Sequence, residues 1–315
     1  MAIYNAHTAV GQREDLSDVI YNIAPTETPF MSSIGKTKAT AVYHEWQTDS
    51  LAAATTANAA VEGADASDAT LSPTVRLGNY TQILQKTIKV SGTLDTVNKA
   101  GRKSEKAYQL AKASQEIKRD LETIMLANQA RDAGSSNSIA RKMASLLSWI
   151  KTNTDVGSGG ADPTTIGVST RTDGTQRTFT ETLLKTVVAK VFDAGGTPTV
   201  LMVGSSGKQK VSSFAGIAVN RFQINTPKPG AIIGAADIYV SDFGQISVVP
   251  NRFMRTRDAL VLDPEYAAVA YLRPFQTNEL AKAGDSDKTQ VLVECTLEVK
   301  NEAAHGAVYD LNMAL

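Results

Sequence analysis

The feature that most limits what this 315-residue chain can fold into is a gap between two strand-like segments. Residues 40–48 alternate, with Val42, His44 and Trp46 on one side, and read as a β-strand. Residues 79–90 read as another, with Leu84, Ile88 and Val90 on one face around Lys86. The roughly thirty residues between them are neither periodic nor apolar. Nine of the eighteen positions from Ala52 to Ala69 are alanine, and Gly63 and Pro73 interrupt the tract. A structureless connection of this length is uncommon inside a compact domain and usually marks a functional or extended loop. Two readings are open: a disordered surface loop, or a long two-stranded arm that reaches away from the body and is ordered by a partner.

The forty residues before the gap read as an arm with a short helix, in which Leu16, Val19, Ile20 and Ile23 form one apolar stripe that Pro25 and Pro29 end. So short a helix is marginal alone and must lean on another surface. From Ser104 to Asn128, Leu110, Ile117, Leu121, Ile124 and Met125 make a narrow stripe on a polar segment, predicting an amphipathic helix ~37 Å long. Ala133–Ser138 reads as a loop and Lys142–Lys151 as a short helix. The stretch Gly157–Gly174, rich in Gly, Ser, Thr, Asp and Pro, falls where a domain boundary is expected.

A further helix has Thr180 as its N-cap, Phe179 and Leu184 spaced as a hydrophobic staple, and Gly195-Gly196 at its end. Leu183, Leu184, Val187, Val188, Val191 and Phe192 are its expected buried face. A buried strand at Thr199–Val203 leads to a turn at Gly204–Gly207 and a short helix near Val211. Strands are then expected at Ile238–Val240, Ile246–Val249, Ala268–Tyr271 and Val291–Val299. In the last, Val291, Val293, Cys295, Leu297 and Val299 share a face, while Glu294, Thr296, Glu298 and Lys300 are expected to point away. Helices and strands mix without regular βαβ alternation, so the fold class is α+β.

Composition narrows the function. Apolar residues make up 42% and charged residues 20%, with 32 basic side chains against 32 acidic, the profile of an ordinary soluble globular chain. The longest apolar stretch, Tyr266–Leu272, falls far short of the ~20 residues of a membrane span. The start, Met1 to Asn5, has no secretory pattern. One cysteine, Cys295, excludes an internal disulfide and a cysteine-rich zinc site. Zero net charge argues against a nucleic-acid binder that works by bulk attraction.

No set of residues has catalytic spacing. His7, His44 and His305 are scattered. The segment Gly204-Ser205-Ser206-Gly207-Lys208 has Met202 and Gln209 where a phosphate loop needs glycine and Ser or Thr. Cys295 sits on an apolar strand face, where a thiol has no reason to ionise. Asp285 and Asp287 beside Gly284 read as a solvated turn. The expectation is no enzyme, no cofactor and no metal.

Charge placement says more. Between Lys38 and Arg76 no Lys or Arg occurs, while Glu45, Asp49, Glu62, Asp65 and Asp68 are acidic. Residues 76–119 hold ten basic side chains, among them Lys99, Arg102, Lys103 and Lys106, against Asp95, Glu105 and Glu116. Two solvated faces would explain any single pair. The division also suits a head-to-tail contact in which one copy's arm, through Glu62, Asp65 and Asp68, covers the next copy's basic helix at Lys99, Arg102, Lys103 and Lys106. Such heterologous contacts close into rings or larger shells.

The order of short helical arm, two-stranded extension, long helix, α+β body and strand-rich return resembles the major capsid proteins of tailed bacteriophages, the Hong Kong 97-like fold. Several segments are closer still to a phage subfamily long catalogued only as a domain of unknown function. They are Arg13-Glu14-Asp15-Leu16, Pro25-Thr26-Glu27-Thr28-Pro29-Phe30 and Tyr43-His44-Glu45-Trp46-Gln47-Thr48-Asp49. Further on come Phe192-Asp193-Ala194-Gly195-Gly196, Asp263-Pro264-Glu265-Tyr266, Tyr271-Leu272-Arg273-Pro274-Phe275 and Glu298-Val299-Lys300-Asn301-Glu302.

The resemblance implies an N-terminal arm over 1–37, an extended E-loop over 38–92, a P-domain over 93–145 and 256–315, and an A-domain over 146–255. It implies a homo-oligomer of hexamers and pentamers forming an icosahedral head around double-stranded DNA. The DNA would be held without sequence-specific binding and without a membrane. Some relatives join subunits by a lysine–asparagine isopeptide bond; no residues here match that site, and the bond is not expected. No long amino-terminal scaffolding segment is visible, which implies a separate scaffolding protein beside a portal. The virion is the expected location, after the host cytoplasm. The alternatives are a cellular nanocompartment (encapsulin-like) shell and a soluble enzyme.

Overall fold

The computed structural model describes residues 26–313 apart from 64, 66, 67, 99, 100, 102, 136, 137 and 215–236. The helix expected at Leu16–Ile23 lies outside the described residues. The chain opens with a helical turn, α1 (Pro29–Ser33), and strands β1 (Gly35–Lys38), β2 (Tyr43–Thr48), β3 (Val75–Tyr80) and β4 (Gln82–Ser91). Then come α2 (Gly92–Thr96), the long α3 (Glu105–Met125), the single turn α4 (Leu146–Trp149), β5 (Thr154–Asp155) and β6 (Arg177–Thr178). Next are α5 (Glu181–Asp193), β7 (Val200–Val203), α6 (Ser205–Ser212), β8 (Ile238–Ser241), β9 (Gly244–Pro250) and β10 (Ala259–Leu262). The long strands β11 (Ala267–Leu280) and β12 (Ser286–Val299) precede β13 (Gly306–Val308) and β14 (Leu311–Asn312).

Helix α3 is capped by Ser104, whose hydroxyl accepts from the Ala107 N–H at 3.3 Å. Its predicted stripe is real: Ile117, Leu121 and Met125 are buried, and Leu110 and Ile124 pack beside them. The stripe covers a four-stranded sheet of order β1-β11-β12-β4, in which β1 runs parallel to β11 and the other pairs are antiparallel. Strand β4 alternates as expected, with Leu84 and Ile88 packing into the core that contains α3.

The second sheet has six strands in the order β5-β13-β10-β7-β9-β8. One face packs against α5 and α6 through Leu184, Val187, Val191, Leu201, Val203 and Val261. The alternate residues Met202, Leu260 and Leu262 point into the core shared with α3. Both faces are therefore covered, which is why β7 and β10 read as continuous apolar runs. Strands β10 and β13 reach this sheet from the last sixty residues of the chain, beside β7 and β9 from the middle.

Several expectations need correction. The strand read over 79–90 is two strands in two sheets: β3 pairs with β2, and β4 pairs with β12. Thr81 makes the change, its N–H donating to the Val42 carbonyl at 2.8 Å. The helix expected over Lys142–Lys151 is only the turn α4. Side chains claim the backbone there instead, with Met143 N–H donating to Gln82 at 3.1 Å and Ala144 N–H to Asn79 at 2.8 Å. Thr180 occupies the N-cap position of α5 without a side-chain cap bond. Its staple partners Phe179 and Leu184 are both buried. Phe192, expected inside, is half-exposed and stacks on Phe243 at 4.6 Å. No turn precedes α6, which begins directly after Gly204.

Candidate assembly surface

The hairpin β2–β3 joins residue by residue from Tyr43↔Tyr80 to Thr48↔Val75, and there the ladder ends. Its root is tied to the body on both strands. Trp46 packs on Trp149 of the body with ring centroids 5.3 Å apart, while Tyr43 and Tyr80 pack across the hairpin at 4.7 Å. Buried Asn79 donates to the Leu297 and Ala144 carbonyls at 2.8 and 3.2 Å and accepts the Ala144 N–H. Arg131 donates to the Gly78 carbonyl and lies 5.3 Å over the Tyr43 ring. Gly78 allows this packing, because a Cβ there would stand 2.7 Å from Tyr43 Cζ and 2.9 Å from the His44 carbonyl.

Beneath the root lie the glutamates that were expected to point away from the apolar face of β12. Glu294 is buried, accepts the Thr81 hydroxyl at 2.9 Å and pairs with Arg141 at 2.6 Å and Arg273 at 2.7 Å. Glu298, also buried, accepts the Thr37 hydroxyl at 2.7 Å and stands 3.2 Å from His44 Nε2. Thr296, between them, is buried too. The second face of β12 is closed by the hairpin root, so its alternating polar residues serve as buried anchors. Cys295 lies on the other face as expected, and burial pushes its thiol up to about 12.

Beyond the root the chain leaves the body. Every described residue from Asp49 to Thr74 is exposed. Leu51, Val61 and Leu71 show 98%, 79% and 88% of their surface to solvent, far more than a lone chain has reason to offer. Glu62, Asp65 and Asp68 stand on this segment, all exposed.

The predicted basic counterpart is partly neutralised within the chain. Lys106 pairs with Glu279 at 2.7 Å, and that hydrogen bond raises its pKa. Lys86 pairs with Glu116 at 2.8 Å, and Lys112 approaches the same carboxylate at 4.0 Å. Lys103 is exposed, whereas Lys99 and Arg102 lie outside the described residues. Among the described residues no ion pair joins Glu62, Asp65 or Asp68 to the basic segment, so the structure does not bring the two sets together within one copy.

Two buried clusters had no sequence signal. Glu122 of α3 accepts the Phe30 and Met31 N–H groups at 2.7 and 2.9 Å and the Asn251 amide at 2.6 Å. It thereby pins α1 and the end of β9 to the long helix. Burial pushes its carboxyl above the ordinary range despite these three donors. Asp310, at φ 59°, gathers Arg171, Arg257 and the N–H groups of Gly157 and Gly174. Burial works to raise its pKa, and the Arg171 hydrogen bond leads the contacts that hold it below the usual carboxylate range. The cluster fastens the glycine-rich 157–174 segment to the C-terminal strands. Its members are far apart in sequence and ordinary in type, so spacing could not reveal them.

Two packed sheets, a long helix across one of them and a projecting loop define a shell protein of the Hong Kong 97-like class. The fold is shared with a chain from Mycobacterium phage Cain, at TM-score 0.63 and 12% identity over 100% of each chain. The capsid asymmetric unit of cyanophage A-1(L) matches at TM-score 0.64 and 11% identity over 98% of each chain. The holo-SrpI encapsulin complex from Synechococcus elongatus matches at TM-score 0.58 and 11% identity, over 100% of this chain and 98% of that one. A major capsid protein of Escherichia phage Phieco32 is 28% identical over 337 residues, covering 95% of this chain and 94% of the relative. The chain belongs to the SU10 major capsid protein family, whose model matches residues 3–312. It is a structural capsid protein, built into the virion in many copies.

Proposed function

We propose that copies of this chain form the hexamers and pentamers of an icosahedral head that encloses double-stranded DNA, with the exposed loop 49–74 of each copy lying over a neighbour. The observation that carries the reading is that loop itself: firmly rooted, exposed at every described residue and carrying the exposed apolar side chains Leu51, Val61 and Leu71. The near-neutral chain fits a lining that holds DNA without sequence-specific contacts and leaves it free to move. The role is structural and non-enzymatic, with a separate scaffolding protein and a portal as partners, and with assembly in the host cytoplasm. Residues 38–92 act as the E-loop, 93–145 and 256–315 as the P-domain, and 146–255 as the A-domain, with 1–37 as the arm before them.

Charge sets the register of the contact more than its strength. Glu62, Asp65 and Asp68 of one copy face the basic segment of the next, with Lys99, Arg102, Lys103 and Lys106 as the expected partners. Changing Glu62, Asp65 and Asp68 together to Lys is expected to abolish regular particles in negative-stain microscopy while leaving the circular dichroism of the subunit unchanged. Normal particles from that variant would remove the charge contact but not the shell. A wild-type chain that forms no particles, even beside its neighbouring phage genes, would remove the shell. A nanocompartment shares the fold; terminase and portal genes next to this one would separate the two.

A further inference from the structure

We propose that Arg131 is a positioning residue that sets the direction in which the loop 49–74 leaves the body, acting as a strap across the outer face of the loop's root. This rests on the shell reading above, which needs the loop to be aimed, and concerns the geometry within one copy. The β2–β3 ribbon has two faces. His44, Trp46, Leu77 and Asn79 share the face that lies on the body. Tyr43, Glu45, Gly78 and Tyr80 share the other. Contacts on one face hold a ribbon down without fixing its tilt, and two strands alone have little stability of their own.

On the outer face Glu45 is exposed, yet Gly78 is buried. Arg131 reaches this face, donating to the Gly78 carbonyl and lying 5.3 Å over the Tyr43 ring. Trp149 against Trp46 on one side and Arg131 over Tyr43 on the other therefore clamp the ribbon. A planar guanidinium can stack on a ring and donate from its edge at once, which an ammonium does not reproduce.

The strap has its own mount. Asp132 and Lys142 exchange backbone hydrogen bonds at 2.9 and 3.0 Å, and the Ser135 N–H donates to the Ile139 carbonyl at 3.1 Å, closing a small hairpin over 131–142. Gly134 serves its turn at φ 72°, where a Cβ would stand 2.6 Å from the Ile139 carbonyl oxygen. At the far end of this hairpin, Arg141 donates to the Thr81 carbonyl at 3.3 Å and pairs with Glu294 at 2.6 Å. The Arg131 N–H donates to the Gly167 carbonyl at 3.0 Å. One mount thus grips the chain at Thr81, where it passes between the two sheets, and again at Gly78 on the ribbon. Two points define a direction; one does not. At ~3.4 Å per residue Gly78 stands ~10 Å from Thr81 and the ladder end at Val75 ~20 Å, so a shift of ~1 Å at Gly78 becomes ~2 Å at Val75 and grows along the loop.

The test measures direction in the unassembled full-length chain. Nitroxide labels are attached to Val75→Cys, at the ladder end, and to Ala111→Cys, an exposed position of α3, with buried Cys295 as background. Pulsed electron double resonance is expected to give one narrow distance distribution with Arg131 present. It should become at least twice as wide with Arg131→Met, which keeps a stem and loses the guanidinium. A merely stabilising side chain would lower the urea midpoint and leave that width alone. An unchanged width in the variant overturns the strap. A broad distribution with Arg131 in place also overturns it, and that result needs no variant to fold. In assembled material Arg131→Met is expected to at least double the spread of particle diameters in negative-stain microscopy, with the subunit's circular dichroism unchanged. Particles as uniform as those of the wild type would overturn the aiming role and leave the shell reading standing. A wild-type chain that makes no particles would remove the shell reading, while the distance measurement still decides the strap.

Discussion

Asn79 shows how a single side chain can hold the loop in place. It is buried, uses both amide atoms, and links the hairpin to the 143–146 segment and to β12 at once. Asn79→Ala would leave the Leu297 carbonyl and the Ala144 N–H without their partner in the interior. A cost of about 2–6 kcal/mol is expected, since each of the two buried orphans costs ~1–3 kcal/mol. Urea denaturation would read the cost, and faster hydrogen exchange confined to 43–48 and 75–80 would show that the root is what loosens. Glu294 and Glu298 make the complementary point. Their alternation with Val293, Cys295 and Leu297 is the pattern of a half-exposed strand, and it was legible as such. That both are buried depends on Thr37, Thr81, Arg141 and Arg273 arriving from elsewhere in the chain.

At the scale of elements, long periodic segments were readable and short ones were not. The stripe of α3 is seen in the sequence and buried in the structure, because a surface helix must repeat its apolar contacts every turn. Leu121, fully buried beneath it, is a direct probe. Leu121→Ala is expected to cost about 2–5 kcal/mol, as deletion of a buried leucine does. Chemical denaturation of the unassembled chain would measure it. The 142–151 segment has apolar residues enough for a helix, yet its amides are taken by Gln82 and Asn79. Local propensity loses there to long-range hydrogen bonds. The single strand read over 79–90 failed for a related reason. Period alone cannot show that Thr81 hands the chain from the hairpin to the body sheet.

At the scale of the whole molecule, acid stability is set by buried groups that pull in opposite directions. Burial drives His305 down to about 4, so between that value and its ordinary ~6.5 the unfolded chain binds a proton that the folded chain refuses. Its contribution is complete above pH ~6.5 and is lost as the pH falls toward 4, by about 3 kcal/mol at most. Asp258 acts the other way, since burial lifts it to about 6 and protonation there relieves a strained carboxylate. Comparing His305→Asn with the wild type separates them. The stability gap between the two should shift in the variant's favour by up to about 3 kcal/mol from pH 7 to pH 4. Urea melts at several pH values would check this, and a gap that does not change with pH would refute it. What the sequence alone determined was the α+β class, the long amphipathic helix and an alanine-rich connection too long and too aperiodic to be a regular element, because periodicity and composition are local properties. Only the tertiary structure decided that the connection is firmly rooted and that its described residues beyond the root are exposed, that the glutamates of β12 are anchors, and that Asp310 gathers two arginines. Burial and pairing are set by residues distant in the chain, which local patterns cannot register.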